Sequence, residues 1–399
     1  MDKKQNKVRR AYICPIANLL ITRNIVIYIT ILIVTRFADM ENPFKFGTIV
    51  QEPYFTDRRE EFKLICEIIN SPNHLILISP RRFGKSSLIK KVLSNVERPS
   101  IFINVQQADS VADLARLIVR ETLKSFPLER IKHFLKNFRI VPMISVNPMT
   151  NGVDVSFSAS ANASTLLEDA LGLIESIGDE KRRLIVVFDE FQEIMQLDKG
   201  IDKKLRAIMQ EQRNVNFVFL GSQESMMTEI FEKVKSPFYH FGQLMYLKKI
   251  PYEDFLAYLV NGFQAINKEN PESLANDILA ITACHPYYTQ QLAACVWDML
   301  TYDKLKDSSN PAQAAMEHLV AIHDLDYERL WVTFPRTNRR VLKELAASAK
   351  LSDNDQFATS TTYSAVSRLM KSGYVIKTDS FEIEDPIFKK WINDRQNNN

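Results

Sequence analysis

Apolar residues follow two alternating rhythms along the first two thirds of the chain. "HLILIS" (74–79), "SIFINV" (100–105), "RRLIVVFDEF" (182–191) and "NFVFLGS" (216–222) are short runs with few polar breaks, as strands buried on both faces require. Between them apolar residues recur at three- and four-residue spacing. "FTDRREEFKLICEII" starts with a cap candidate, Thr56 or Asp57, and continues with Phe62, Ile65, Cys66 and Ile69 on one helical face. Further helices are predicted at Lys85–Val92, around 109–125 and over 164–178. Strands that alternate with helices imply a parallel sheet covered by helices.

Three segments depart from this alternation. Residues 139–158 carry two β-rich runs around Asn151-Gly152, a hairpin insertion. From Tyr252 to about His323 the pattern is helical throughout. Helices near 337–348 and 360–372, then a β pair around Asp379-Ser380 in "YVIKTDSFEIED", give the order of a winged helix. The expected units are therefore residues 40–250, 251–325 and 326–399, after a separate stretch 1–39.

Residues 1–39 behave unlike the rest. "ICPIANLLITRNIVIYITILIVT" is apolar but interrupted by Arg23 and Asn24, and its clean run is Ile25–Val34, about half of a membrane span. Seven basic residues against two acidic ones give this stretch +5, so the remaining chain sums to −2 within the net +3. The basic cluster precedes the apolar segment, so a span there would keep the N-terminus cytoplasmic and put the body that follows on the outer side, which argues against a functional span. Expected are a translation start at Met40, with an N-terminal tail or a membrane anchor as the alternatives for residues 1–39, and a cytoplasmic protein without stable membrane association. Four separated cysteines without metal-ligand spacing read as reduced, buried thiols.

Candidate chemistry begins at "LISPRRFGKSSLIKK" (77–91), which follows an apolar strand and opens a helix. Ser79-Pro80-Arg81-Arg82-Phe83-Gly84-Lys85-Ser86 fits G-x-x-x-x-G-K-[ST] except that Ser79 replaces the first glycine. Such a loop cradles phosphate oxygens with inward N–H groups at a helix N-terminus. Lys85 supplies charge to the β/γ phosphates, Ser86 a hydroxyl to Mg²⁺, and Ser87 continues the motif. Gly84 admits close backbone approach, and Ser79 is compatible if its φ stays negative. Arg81 and Arg82 face either an anion or the surface.

The strand "LIVVFDEF" ends in Asp189 and Glu190, 104 residues after Lys85. Asp189 would orient Mg²⁺ and Glu190 would polarise the attacking water as general base; alternatively the pair caps the next helix. Ser222-Gln223 ends another strand, where Gln223 either senses the γ-phosphate or caps a helix.

With these motifs in order, the chain resembles the archaeal-type ATPase family, an AAA+-like branch of P-loop NTPases related to the STAND NTPases. The blocks are "PYFTDRREEF", "SPRRFGKSSL", "VVFDEFQEI", "LGSQESMM", "SPFYHFGQLMYL", "HPYYTQQL" and "IEDPIFKKWI", spread over residues 40–395. The resemblance implies an α/β fold: a P-loop NTPase parallel sheet covered by helices, then a helical bundle and a C-terminal winged helix. It implies ATP and Mg²⁺ as ligands. It places Arg58, in the block beside the adenine, and His285, as a second sensor, in the nucleotide site; a helix cap is the other role open to His285. Cys284 stands where relatives carry glycine, and His240 where many carry an arginine, which puts fast hydrolysis in doubt.

Residues 329–399 carry twelve basic and eight acidic residues. Arg336, Arg339 and Arg340 are the candidates for DNA phosphate contacts, against a winged helix used as a lid or protein-docking module. Three functions fit: a Mg²⁺-dependent ATPase with Glu190 and Lys85 as catalytic groups, a slow nucleotide switch that reaches a protein partner, or a DNA-binding regulator. An oligomer is compatible with all three.

Overall fold

Five short apolar strands make one parallel sheet whose carboxyl ends gather the motifs. The computed structural model describes residues 41–146, 152–158, 160–264, 266, 270–302, 310–347, 360–378 and 380–397. The expectations for residues 1–39 and for the Asn151-Gly152 turn rest on residues that lie, apart from Gly152, outside these.

In chain order come α1 (Arg59–Asn70), β1 (Leu75–Ile78), α2 (Lys85–Asn95), β2 (Ser100–Asn104), α3 (Val111–Ser125) and α4 (Leu128–Leu135). There follow β3 (Met143–Val146), β4 (Val153–Ser156), α5 (Ala163–Ile177), β5 (Leu184–Asp189), α6 (Ile194–Leu197) and α7 (Ile201–Met209). Strand β6 (Val215–Gly221), helix α8 (Glu224–Phe231) and strand β7 (Gln243–Tyr246) complete this part.

The main sheet has the order β2-β5-β6-β1-β7, and each neighbouring pair is parallel. Because β6 lies between β1 and β5, the phosphate-loop motif and the Asp189-Glu190 pair leave the sheet on either side of the Gly221–Ser222 end of β6. Successive side chains of a strand point to opposite faces. Ile76, Ile78, Val186, Phe188, Phe217 and Phe219 pack under α3, α5 and α7, while Leu75, Leu77, Ile185, Val187, Val218 and Leu220 pack under α1 and α2. Ring stacking strengthens the first face: Phe188 and Phe219 lie parallel at 6.0 Å, and Phe191 tilts against Phe219 at 4.5 Å. Each such buried ring contributes roughly 1.5–3 kcal/mol. The inserted hairpin β3–β4 pairs antiparallel and is a separate sheet resting on α3.

Helices α9 (Tyr252–Phe263), α10 (Pro271–Thr282), α11 (Pro286–Thr301) and α12 (Pro311–Thr333) follow. The last three each start at a proline preceded by an Asn or His whose side chain accepts backbone N–H bonds, which satisfies donors that a helix start leaves open. Phe44, ahead of α1 in the chain, packs into this bundle against Tyr258, Phe263 and Trp297. Its ring packs where a Cβ on Gly262 would come within 2.4 Å, so α9 needs glycine there.

The chain ends in α13 (Arg336–Ala347), α14 (Ser360–Lys371), the antiparallel β8 (Val375–Lys377) and β9 (Phe381–Ile383), and α15 (Pro386–Asn397). Helix α12 runs unbroken through residues 325 and 326, and its Tyr327 joins Phe334, Phe388 and Trp391 in one core with the helical bundle.

Three local details differ from the expectations. Neither Thr56 nor Asp57 holds the N-cap position of α1; Arg58 does, in the left-handed region at φ 65° and with no side-chain capping bond. Strand β7 has no buried run to betray it, being a half-exposed edge. Cys66, Cys284 and Cys295 are only half-buried, and no disulfide joins them. Among the described residues no helix is long and apolar enough to cross a membrane.

Candidate functional site

The loop from β1 to α2 is built around a buried lysine. Lys85 is 5% exposed, and its Nζ donates to Ser79 O at 3.0 Å, Ser79 Oγ at 3.1 Å and Pro80 O at 3.1 Å. Ser79 is fully buried and its φ is not positive, so a side chain is tolerated where the motif has glycine. Its hydroxyl also donates to Pro80 O at 3.1 Å. Left-handed backbone occurs instead at Arg82, φ 63°, and Gly84, φ 86°. No protein atom lies within 4 Å of a Cβ built on Gly84; its backbone angle, rather than protein crowding, calls for glycine. Burial pushes the Lys85 ammonium down from 10.5 to about 8; Glu190, Asp189 and Glu224 hold it up, and Arg81 pushes it further down.

Two acids end β5. Asp189 Oδ2 accepts a hydrogen bond from Ser86 Oγ at 2.9 Å, and Oδ1 accepts from Glu190 N at 3.1 Å. Burial raises the Asp189 carboxyl, opposed by the Ser86 bond. Glu190 adopts φ 53° and ψ 46°, which turns its carboxylate toward the end of β6. There Oε2 accepts from Ser222 Oγ and from Gln192 Nε2, each at 2.6 Å. Sequence reasoning missed both donors in this role; Ser222 was visible only as half of a polar pair at a strand end.

Two neighbouring cavities meet at the loop. One, of about 370 Å³, is lined by Thr48, Arg81, Arg82, Gly84, Lys85, Ser86, Ser87, Gln106 and Glu190. The other, of about 400 Å³, has mainly apolar walls from Phe46, Val50, Phe55, Ile250, Pro286 and Tyr287, with Thr56, Arg58 and Gln290 among its polar groups. Thr48, Arg82, Gly84 and Ser87 line both, so the two form one cleft, polar at one end and apolar at the other. Residues 45–50 and Ile250 lie in no block that marked them for this cleft, and of the block 285–292 the sequence singled out His285 rather than Tyr287 and Gln290.

Each remaining expected residue has a definite place. Arg58 is 3% exposed and lines the apolar end; its guanidinium is held by Glu61 at 2.8 Å and by Phe83 O at 3.4 Å. Phe83 is buried beneath the loop, its ring edge-on to His285 at 5.0 Å. His285 lines neither cavity. Its Nδ1 accepts from Tyr287 N at 3.3 Å and Tyr288 N at 3.5 Å, capping α11, and its Nε2 lies 3.3 Å from Glu384 Oε1. Gln223 turns away as well, with Nε2 donating to Glu193 Oε1 at 3.3 Å. It lines a third space, of about 160 Å³, between Pro80-Arg81 and the C-terminal segment 370–377.

The two loop arginines separate. Arg82 donates to the Tyr288 hydroxyl, lies 3.9 Å from Glu384 Oε2 and stacks over the Tyr287 ring at 4.9 Å. Arg81 is exposed and lines both the phosphate-loop cavity and the third space.

Comparisons with known proteins bear on the family and the fold. A family model described as an ATPase domain predominantly from Archaea matches residues 55–292, more than half of the chain. The Walker-type ATPase of Pyrococcus abyssi superposes with a TM-score of 0.63 at 18% identity, over 88% of this chain and 99% of that one. The Aeropyrum pernix ORC2 protein, in ADPNP–ADP complexes, superposes with a TM-score of 0.52 at 14% identity, over 90% and 99%. At these identities the likeness shows the fold alone. No curated protein matches the chain.

Proposed function

The chain belongs to the family of ATPase domains found predominantly in Archaea, and on that premise we propose that it binds ATP with Mg²⁺ in the cleft and hydrolyses it to ADP and phosphate. The observation that carries the reading is the Ser86 Oγ–Asp189 Oδ2 bond of 2.9 Å, made in a wall that also holds Lys85 and Glu190.

In this reading the apolar end takes the base and the polar end the phosphates. The left-handed turns at Arg82 and Gly84, with α2 beginning just after them, would let loop N–H groups face an anion. Lys85 would exchange its bonds to Ser79 and Pro80 for phosphate oxygens. Ser86 and Asp189 are oxygen donors of the kind Mg²⁺ prefers. Among the described residues no cluster of three or more His, Cys, Asp or Glu could hold a metal, so the remaining ligands would be phosphate oxygens and water. A bound Mg²⁺ would neutralise charge on the β and γ phosphates. Glu190, held by Ser222 and Gln192, would take the proton of the attacking water. Equilibrium ATP binding with and without Mg²⁺ tests this: Asp189→Asn should remove the Mg²⁺-dependent part of the affinity, and equal metal dependence in both forms would refute the assignment.

A second reading, a slow nucleotide switch, is favoured by one observation. Arg82 of the loop touches Tyr288 of α11, and Tyr288 donates to Glu384 ahead of α15 at 3.0 Å. A change at the phosphates would thus reach the C-terminal segment, which we read as a winged helix from its α13–α14–β8–β9 order. The DNA-binding alternative draws less support. Arg339 spends its guanidinium on Phe334 O and Val332 O, each at 2.8 Å, and Arg340 binds Thr362 and Glu344.

A further inference from the structure

We propose that Arg81 is a catalytic arginine supplied in cis by the phosphate-binding loop, there to neutralise charge on the transferred γ-phosphoryl group. The proposal rests on the ATPase reading above and adds a residue role to it.

Phosphoryl transfer spreads negative charge over the equatorial oxygens and the leaving oxygen, and an arginine placed there accelerates hydrolysis by about 10³-fold or more. The chain has few sources for that cation. From residue 214 through residue 328 it contains no arginine at all, so β6, the loop carrying His240 and the helices from α9 to most of α12 offer none. The arginines lining the phosphate end of the cleft are Arg81 and Arg82. Arg82 is committed to Tyr288 and Glu384. Arg81 is different: it is exposed and makes no hydrogen bond or ion pair among the described residues. It shares its cavity with Lys85, Ser86 and Glu190, and its charge already opposes that of Lys85. An uncommitted guanidinium beside the general base and the phosphate lysine is placed to meet charge that appears only during reaction.

The step balances as ordinary hydrolysis. The water oxygen bonds to the γ-phosphorus as the bond from that phosphorus to the β–γ bridging oxygen breaks. The electron pair stays on the bridging oxygen, which leaves as part of ADP. Glu190 takes the water proton, and Arg81 donates N–H bonds to the oxygens that gain charge.

The test uses the full chain and three readouts: affinity for ATP with Mg²⁺, single-turnover phosphate release, and affinity for ADP with and without aluminium fluoride. Arg81→Ala should melt like wild type, since the side chain holds nothing. It should bind ATP and ADP within about threefold of wild type yet release phosphate at least ~100-fold more slowly. It should also lose the gain in ADP affinity that aluminium fluoride gives wild type, and Arg81→Lys should restore part of the rate. Release by Arg81→Ala within about threefold of wild type overturns the proposal and leaves the ATPase reading standing. So does a rate loss matched by an equal loss of ATP affinity, which marks uniform binding. Wild-type protein that binds ATP without turning it over overturns both.

Discussion

The Arg82 guanidinium of the β1–α2 loop lies 3.9 Å from the Glu384 carboxylate, and the Tyr288 hydroxyl joins them, accepting from Arg82 and donating to Glu384 at 3.0 Å. Tyr288 and Glu384 are 2% and 8% exposed, whereas the Arg82 side chain is half exposed. Glu384 therefore serves the interior and Arg82 its rim. His285 also approaches the same carboxylate, at 3.3 Å.

Removing the buried member should cost more than removing the rim member. Glu384→Ala leaves the buried Tyr288 hydroxyl without its acceptor and should destabilise the chain by about 1–3 kcal/mol. Arg82→Ala, screened by solvent, should cost under about 1 kcal/mol. Urea melts of both variants and of the double variant measure the coupling. Limited proteolysis of Glu384→Ala should cut within the C-terminal segment before wild type is cut.

Lys85 makes nucleotide affinity depend on pH. Its ammonium is pushed down to about 8 by burial, while phosphates would favour the charged form. ATP affinity should fall as pH rises through about 8, and binding above that pH should take up a proton. Calorimetry in buffers of different ionisation enthalpy detects the uptake. Stability runs the other way. Between about 8 and 10.5 the unfolded chain holds more protons than the folded one, so the nucleotide-free protein gains stability with rising pH, by ~3 kcal/mol in all. Lys85→Met should flatten that rise.

His74 sets an acid limit. It is tucked between Phe217 and Phe241, its Nδ1 accepts from Phe217 N at 3.1 Å, and burial with Arg183 and Arg206 nearby pushes it down to about 4. Between about 4 and 6.5 the unfolded chain binds the extra proton, so this contribution is complete above 6.5 and lost as pH falls toward 4, ~3 kcal/mol in total. Thermal melts at pH 4.5 and 7 should differ less in His74→Asn, which keeps an acceptor but does not titrate.

The two loop positions that the motif reserves for glycine should respond in opposite ways. Ser79→Gly removes one Lys85 partner and one turn bond, at about 1 kcal/mol, and should retain ATP binding. Gly84→Ala must hold a side chain at φ 86°, a strain of roughly 1–2 kcal/mol, at the start of α2. ATP titrations of the two variants check the contrast: binding kept in the first, weakened at least about tenfold in the second.

What was legible in the sequence follows from burial on both faces. Strands β1, β5 and β6 are nearly solid apolar runs, and their ends carry Ser79, Asp189 and Ser222. Strand β7 is an edge with half-exposed residues and left no such trace. The loop motif gave Lys85 and Ser86 because it fixes local spacing, and the acidic pair at the end of β5 gave Asp189. Both were silent on Phe46, Ile250 and Gln290, which reach the cleft through tertiary packing. Arg81 and Arg82 were indistinguishable as neighbours in sequence; the left-handed turn at Arg82 and the hydroxyl of Tyr288 separate them. His285 could be placed near the loop by its block, but its orientation is set by the N–H groups of α11.

The most direct test of the account is phosphate release from ATP by the full chain with Mg²⁺, with Lys85→Ala and Glu190→Gln measured beside it. The account predicts release by wild type, neither binding nor release by Lys85→Ala, and ATP bound but held intact by Glu190→Gln. Release by Glu190→Gln equal to that of wild type, or ATP binding undiminished in Lys85→Ala, would contradict it.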